Sequence, residues 1–263
     1  MKKTSGIILK IFAVIILLIF ILLFTVPIIF KEQIRTKVEQ TINESVNATV
    51  KFNDYKLGFF KNFPNLSFSL TGLSVVGKDK FATDTLAAFK SVDLVFNLSS
   101  LFKKSGYEVK SIVMNDAAVN AIILKDGTAN WDISADTTST DAAVEAESPE
   151  SGMKILLKSV ILNNGSLTYI DDESSMKAYL NDLNFTLSGD MTMSETDLQI
   201  AFNSGEFTYI MDGMKYLNKT TLDSKIDMLA NLDNMKFTFR ENYLTINDQM
   251  IYWKMSRRVL THL

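Results

Sequence analysis

Three hydrophobic periods succeed one another along this chain. Ile11 to Phe30 (IFAVIILLIFILLFTVPIIF) carries no charge, and only Thr25 and Pro27 interrupt its apolar character. A helix crossing a hydrocarbon core needs about 20 such residues. At about 0.3–0.6 kcal/mol for each Leu, Ile, Phe and Val, the run favours insertion by roughly 5–10 kcal/mol. It predicts an uncleaved transmembrane anchor. A cleavable signal peptide is the rival, since Lys2 and Lys3 lead into the run, but its apolar part would span only about 7–15 residues before a small-x-small site. From Lys31 the period becomes four, with Ile34, Val38, Ile42 and Val46 separated by Glu32, Lys37, Glu39 and Glu44. That spacing predicts an amphipathic helix to about Asn47, lying on a membrane surface or capping the end of a sheet.

Beyond Asn47 the period is two. Asn65 to Leu70 places Leu66, Phe68 and Leu70 on one face and Ser67 and Ser69 on the other; after Thr71-Gly72 the apolar phase moves to Leu73 and Val75. A glycine at a phase shift marks a bulge or bend within a strand. Val92, Leu94, Phe96 and Leu98 repeat the alternation against Asp93 and Asn97. Val109 to Leu124 holds two further strand candidates, with Asn115-Asp116 between them reading as a turn. Asp126-Gly127 then predicts a type I′ hairpin turn. More strands are expected at Thr196–Phe202, Thr220–Leu229, Lys236–Arg240 and Tyr243–Asn247. Strands with one apolar and one polar face solvate one side of a sheet. The other side closes on a second sheet, as a sandwich, or curls into a trough holding something apolar. Periodicity does not separate the two; the closed core is the commoner outcome, because a wide bare apolar face invites aggregation.

Two stretches break the pattern. Ser134 to Ser151 (SADTTSTDAAVEAESPES) has several acids, no aromatic residue and no period, so it reads as a solvated loop. It lacks the D-x-[DN]-x-[DN]-G spacing of a calcium loop. Ile251 to Leu263 is basic and shows no alternation; it reads as a β-region cut short by truncation or a shifted frame, or as a functional basic tail. Internal similarity is also visible. Lys110–Val119 (KSIVMNDAAV) resembles Lys158–Leu167 (KSVILNNGSL), and Leu66–Gly72 resembles Leu183–Gly189. The offsets differ, which suggests recurring β-hairpin units rather than two copied domains.

Composition removes most chemistry. There is no cysteine, the single histidine is His262, and net charge is −3. Thiol catalysis, Cys or His-rich metal sites and a Ser-His-Asp arrangement are disfavoured, and no basic footprint points to nucleic acid. Neither G-x-G-x-x-G nor G-x-x-x-x-G-K-[ST] occurs, so no nucleotide cofactor is expected. Asp171-Asp172-Glu173 fits a polar turn better than a catalytic carboxylate set. Triplets such as Asn47-Ala48-Thr49 and Asn218-Lys219-Thr220 arise by chance in a chain of this composition and matter only in a eukaryotic secretory pathway. No catalytic, metal or cofactor residue is nominated, and the chain is expected to be non-enzymatic. Lys2, Lys3 and Lys10 precede the anchor without an acid, whereas Lys31, Arg35 and Lys37 are diluted by Glu32 and Glu39. The positive-inside rule therefore keeps the N-terminus cytoplasmic and sends the rest across the membrane.

An N-terminal anchor, a short amphipathic helix, Phe60-Lys61-Asn62-Phe63-Pro64-Asn65-Leu66-Ser67-Phe68, Asp126-Gly127-Thr128-Ala129-Asn130-Trp131 and an acidic loop follow in that order. The order resembles the N-terminal part of the AsmA family of bacterial inner-membrane proteins, over about Met1 to Asp248. The resemblance implies a mainly β, repeating β-groove fold: a long, bent antiparallel sheet with an apolar trough. It also implies a part in phospholipid transfer between inner and outer membranes, or in outer-membrane assembly, with membrane lipids as partners and envelope proteins not identified. Family members are usually much longer than this chain. The expected organisation is a cytoplasmic tip and anchor at 1–30, a helix at 31–47, groove sections at 48–133 and 152–250 flanking the loop at 134–151, and a tail at 251–263. A stripe of Phe68, Leu70, Val92, Leu94, Phe96 and Leu98 is expected to touch acyl chains.

Overall fold

The computed structural model describes residues 14, 29–58, 65–97, 100, 109–134, 157–191, 193–231 and 233–253. The expected anchor, the basic residues before it, the acidic loop after Ser134 and the tail after Trp253 lie outside these residues, as does Leu98. No helix among the described residues is long and apolar enough to cross a membrane. Contacts divide the chain into two units, Met1–Ser45 and Val46–Leu263.

In the first unit, helix α1 runs from Lys31 to Ser45 and buries no residue. The four-residue period predicts this helix within two residues of its end. Arg35 lies 3.8 Å from Glu32 and 3.5 Å from Glu39, and Gln40 donates to Glu44 at 2.7 Å. Pairs at these spacings each stabilise an isolated helix by about 0.2–0.5 kcal/mol.

The second unit is one twelve-stranded sheet. Its strands are β1 (Thr49–Lys51), β2 (Asp54–Gly58), β3 (Asn65–Val76), β4 (Thr85–Asn97), β5 (Val109–Ile123), β6 (Ser159–Asp171), β7 (Met176–Ser188), β8 (Glu195–Met211), β9 (Met214–Asn231), β10 (Lys236–Phe239), β11 (Asn242–Ile246) and β12 (Gln249–Trp253). The main path runs β1-β3-β4-β5-β6-β7-β8-β9-β11-β12, with β2 beside β3 and β10 beside β9. The sheet is open and bent. A closed sandwich is excluded for the described residues, because every strand belongs to this one sheet and none remains to form a second layer.

Five sequence expectations are corrected. The sheet is not wholly antiparallel: β5 and β6 pair in parallel, Ile112 beside Val160 and Met114 beside Leu162. The similar stretches 110–119 and 158–167 are thus neighbours in register, and like residues form a ladder. Asn115-Asp116 is no turn; β5 runs through it, with Asp116 at φ 47°. The turn at Asp126-Gly127 is not type I′, since only Gly127 has positive φ (78°). The type I′ turn lies at Asp212-Gly213 (φ 50° and 76°), between Met211 and Met214. It joins the two longest strands, β8 and β9, of 17 and 18 residues, which run well past the expected bounds. The sheet also extends to Trp253 rather than stopping at residue 250.

A line of left-handed residues crosses the sheet: Gly72 (φ 64°), Asp116, Asn164 (53°), Asp182 (51°) and Lys219 (52°). Register sets Gly72 opposite Lys90, Lys90 opposite Asp116, and Asn164 in the step after the Asn115–Asn163 pair. Gly, Asn and Asp tolerate this conformation best, which is why the line is written mostly in them. At Gly72 a side chain would also collide, because a Cβ there would run into the Asn53 side-chain amide. Residues on either side of the line flip the pleat. Lys90 and Ser91, and likewise Asn115 with Asp116 and Asn163 with Asn164, both reach polar partners on one face. Apolar residues before and after the line therefore share the other face, which accounts for the change of phase at Thr71-Gly72.

Candidate functional site

The apolar face is built from two rows that register alone defines. One runs Leu57, Phe68, Leu94, Ile112, Val160, Leu187, Ile200, Ile226 from β2 to β9. Its neighbour runs Tyr55, Leu70, Val92, Met114, Leu162, Phe185, Phe202, Ser224, Leu244, Ile251 from β2 to β12. Ser224 is the single polar member, and its hydroxyl donates to the Tyr243 carbonyl at 2.9 Å. At about 4.8 Å between strands, the second row extends roughly 43 Å along the sheet. Cross-strand β-branched and aromatic neighbours at this spacing stabilise a sheet by about 0.2–1 kcal/mol per pair.

Five of the six residues expected to touch acyl chains fall here. Phe68 and Leu94 are partners in the first row, and Leu70 and Val92 in the second. Phe96 lies one step further along β4, opposite Leu66. Phe68, Val92, Leu94 and Phe96 are half-buried. Leu70 is buried to 7% exposure, so it supports the face more than it offers surface. Ile112, Met114, Val160, Leu162, Phe185, Leu187, Ile200, Phe202 and Ile226 belong to the same surface, beyond the expected stripe. Alternation could have found them, since each sits on a period-two apolar position.

Buried apolar residues support the face at two places. At one end Phe52, Val50 and Ala48 are buried, and Tyr55 stacks on Phe68 with ring centroids 5.8 Å apart. Towards the other, Leu198, Met228 and Ala230 are buried beneath Met191, Phe237 and Phe239. β10 brings Phe237 and Phe239 to this cluster by pairing beside β9 in the same sheet, Phe239 with Met228 and Phe237 with Ala230.

The opposite face carries a polar seam linking β3 to β8. The Ser69 hydroxyl donates to Asp93, and Asn115 Nδ2 donates to Ser91 Oγ at 2.9 Å and to Asp93 Oδ2 at 3.3 Å. Asn163 Nδ2 donates to Asn115 Oδ1 at 2.9 Å. The Asn164 side chain donates to Asp116 while its amide donates to Asn184 Oδ1 at 3.0 Å, and Asn184 reaches Asn203 Oδ1 at 3.1 Å. The hydrogen bond from Asn164, aided by Lys90, holds the Asp116 carboxyl below its usual range. Such a seam satisfies polar groups across strands along the line of left-handed residues.

Asn130 fastens the loop after β5. Its Oδ1 accepts from the Ile122 amide at 2.9 Å and its Nδ2 donates to the Asn120 carbonyl at 2.7 Å, so the side chain replaces a strand along β5. Trp131 beside it stacks on Tyr169 at 6.1 Å. Asp171 accepts from the amides of Glu173 and Ser174 and so organises the β6–β7 turn; the acidic triplet is a turn, as its composition suggests. Hydrogen bonding from Ser174 holds the Asp171 carboxyl below its usual range.

An open, bent β-groove, apolar on one face and tied by polar side chains on the other, is the class of protein that this geometry defines. Comparison with protein families finds the AsmA family over residues 1–244. The chain belongs to the AsmA family. Comparison with curated proteins gives no match.

Proposed function

We propose that this chain is a membrane-anchored, non-enzymatic groove that holds phospholipid acyl chains. It would serve phospholipid transfer between inner and outer membranes, or outer-membrane biogenesis, with its N-terminus cytoplasmic and its sheet on the far side of the inner membrane. One observation carries the reading: two long rows, apolar at every position but Ser224, run along a face that no second layer of strands covers among the described residues. Family membership supports it.

The rows suit a sliding ligand. Each methylene leaving water gains about 0.8 kcal/mol, and apolar burial is non-directional. Shifting an acyl chain by one strand, about 4.8 Å, exchanges one aliphatic contact for a similar one. The ligand is held without any one position holding it hardest, and no side chain acts as a catalytic group.

The test is mass spectrometry of residues 46–253 purified from cells without detergent. Co-purified phospholipid near one or more molecules per chain is the expected result. A folded sheet free of lipid would favour a structural scaffold whose apolar face serves protein assembly instead.

A further inference from the structure

We propose that a cavity at the β1 end of the sheet binds the headgroup of a lipid bearing a phosphate and a primary amine, a phosphoethanolamine. The inference rests on the acyl-chain reading above and names the headgroup that accompanies the chains. The cavity has a volume of about 250 Å³. One wall is the β3–β4 connection, with Lys78, Asp79 and Phe81; the other is the segment after β5, with Asp132 and Ile133. Whole ligands fill pockets of about 300–1,000 Å³, so this one has room for a headgroup and leaves acyl chains outside. Asn47 also lines it, just after α1 ends at Ser45. In sequence, this is the part of the sheet nearest the expected anchor.

Both walls are held in shape by the protein alone. The Phe81 amide donates to the Lys78 carbonyl at 2.9 Å, and the Gly77 amide to the Asp84 carbonyl at 3.1 Å. Phe81 is buried and anchors the connection. On the other wall the Asn47 amide donates to the Ile133 carbonyl at 2.7 Å, and Val46 pairs with Ser134. A site already in its binding shape loses little further entropy on binding.

The charges select the ligand. Lys80 is engaged by Asp126 and by Thr128. Lys78, Asp79 and Asp132 are exposed, and their side chains have no partner among the described residues. One cation and two carboxylates therefore line a single cavity unpaired. A primary ammonium donates up to three hydrogen bonds, enough for both carboxylates, while the phosphate accepts from Lys78. Such charge-assisted bonds are the stronger kind. A headgroup with a phosphate and no amine would meet two carboxylates with one available lysine. A choline headgroup has no N–H to donate, and quaternary ammonium groups are held by aromatic cages. Phe81 is the single aromatic residue among those lining this cavity.

The test places a photo-reactive side chain at Thr128, an exposed residue of the cavity wall. The full chain is reconstituted into vesicles of equal phosphatidylethanolamine, phosphatidylglycerol and phosphatidylcholine, and adducts are identified by mass spectrometry. Phosphatidylethanolamine should exceed each of the others by at least about fivefold, the effect of one charge-assisted bond. Asp79→Asn combined with Asp132→Asn should bring that ratio close to one. Asparagine tolerates the φ of 51° at residue 79, so the pair removes charge and keeps the backbone; unchanged circular dichroism checks the fold. The same photo-reactive group at Leu94 tests the groove separately. Adducts at Leu94 with no class preference at residue 128, or a preference that survives the double variant, would overturn the headgroup site alone. No adduct at either position would overturn both readings. Binding of soluble glycerophosphoethanolamine without any lipid adduct at residue 128 would assign the cavity to a free headgroup and overturn the lipid site.

Discussion

A charge on the apolar face separates an open groove from a closed core. Leu94 sits mid-row between Phe68 and Ile112 and is half-buried. Burying a whole leucine side chain is worth about 1.5–3 kcal/mol, so the packing lost in Leu94→Glu is about half of that. With no second layer of strands over it, the new carboxylate reaches water and no buried ion results. The expected destabilisation is about 1–3 kcal/mol, within the range of ordinary substitutions. In a closed sandwich the same carboxylate would be an unpaired buried charge, costing about 3–5 kcal/mol against a domain stability of about 5–15 kcal/mol. Urea unfolding of residues 46–253, followed by far-UV circular dichroism, measures the difference. Lys56→Glu is the control: it is exposed, opposite Ser69 on the polar face, and should change stability by no more than about 0.5 kcal/mol. A loss above about 4 kcal/mol for Leu94→Glu, with the control unchanged, would refute an open face.

Further substitutions probe the bend, the seam and the loop. Gly72→Val meets both a positive φ and the Asn53 side chain, so it should destabilise by at least about 1–2 kcal/mol in the same urea assay. Asn115→Ala breaks bonds to Ser91, Asp93 and Asn163 and should cost about 1–3 kcal/mol, with little effect on lipid carried per folded chain. Asn130→Ala orphans the Ile122 amide and the Asn120 carbonyl; faster amide exchange at Ile122 is the expected signature. The Asp171 carboxyl is lowered on folding, so its contribution is present above the unfolded value of about 3.9 and is lost as pH falls through the folded value. Asp171→Asn should remove that part of the acid dependence, read from unfolding midpoints between pH 2 and pH 6.

The strands were legible as alternation, because a half-buried sheet imposes a period of two on side chains. Their pairing was not. Nothing in Ile112 or Val160 states that β5 lies parallel to β6, although the resemblance of 110–119 to 158–167 is the trace of that ladder. The bend was half legible. Glycine at residue 72 signalled a bulge, but Asn115-Asp116 carries the same left-handed geometry and reads locally as a turn; only neighbours across the sheet distinguish the two. β8 and β9 were underestimated because Ser204-Gly205-Glu206 and Leu217-Asn218-Lys219 interrupt the alternation where the line of left-handed residues crosses them. Asp212-Gly213 between two methionines has the type I′ geometry that the sequence reading expects at Asp126-Gly127. The stripe at Phe68, Leu70, Val92, Leu94 and Phe96 was legible in position, while its extent over further strands needed the register.

The most direct measurement places a photo-reactive side chain at successive positions of the full chain in living membranes and scores cross-links to phospholipid. Phe68, Leu94, Ile112, Val160 and Leu187 share the apolar row, whereas Ser69, Asn115 and Asn163 share the polar seam. Lipid adducts at the row positions and none at the seam positions are the predicted result. Adducts absent from the row, or equal on both faces, would contradict a groove that carries acyl chains.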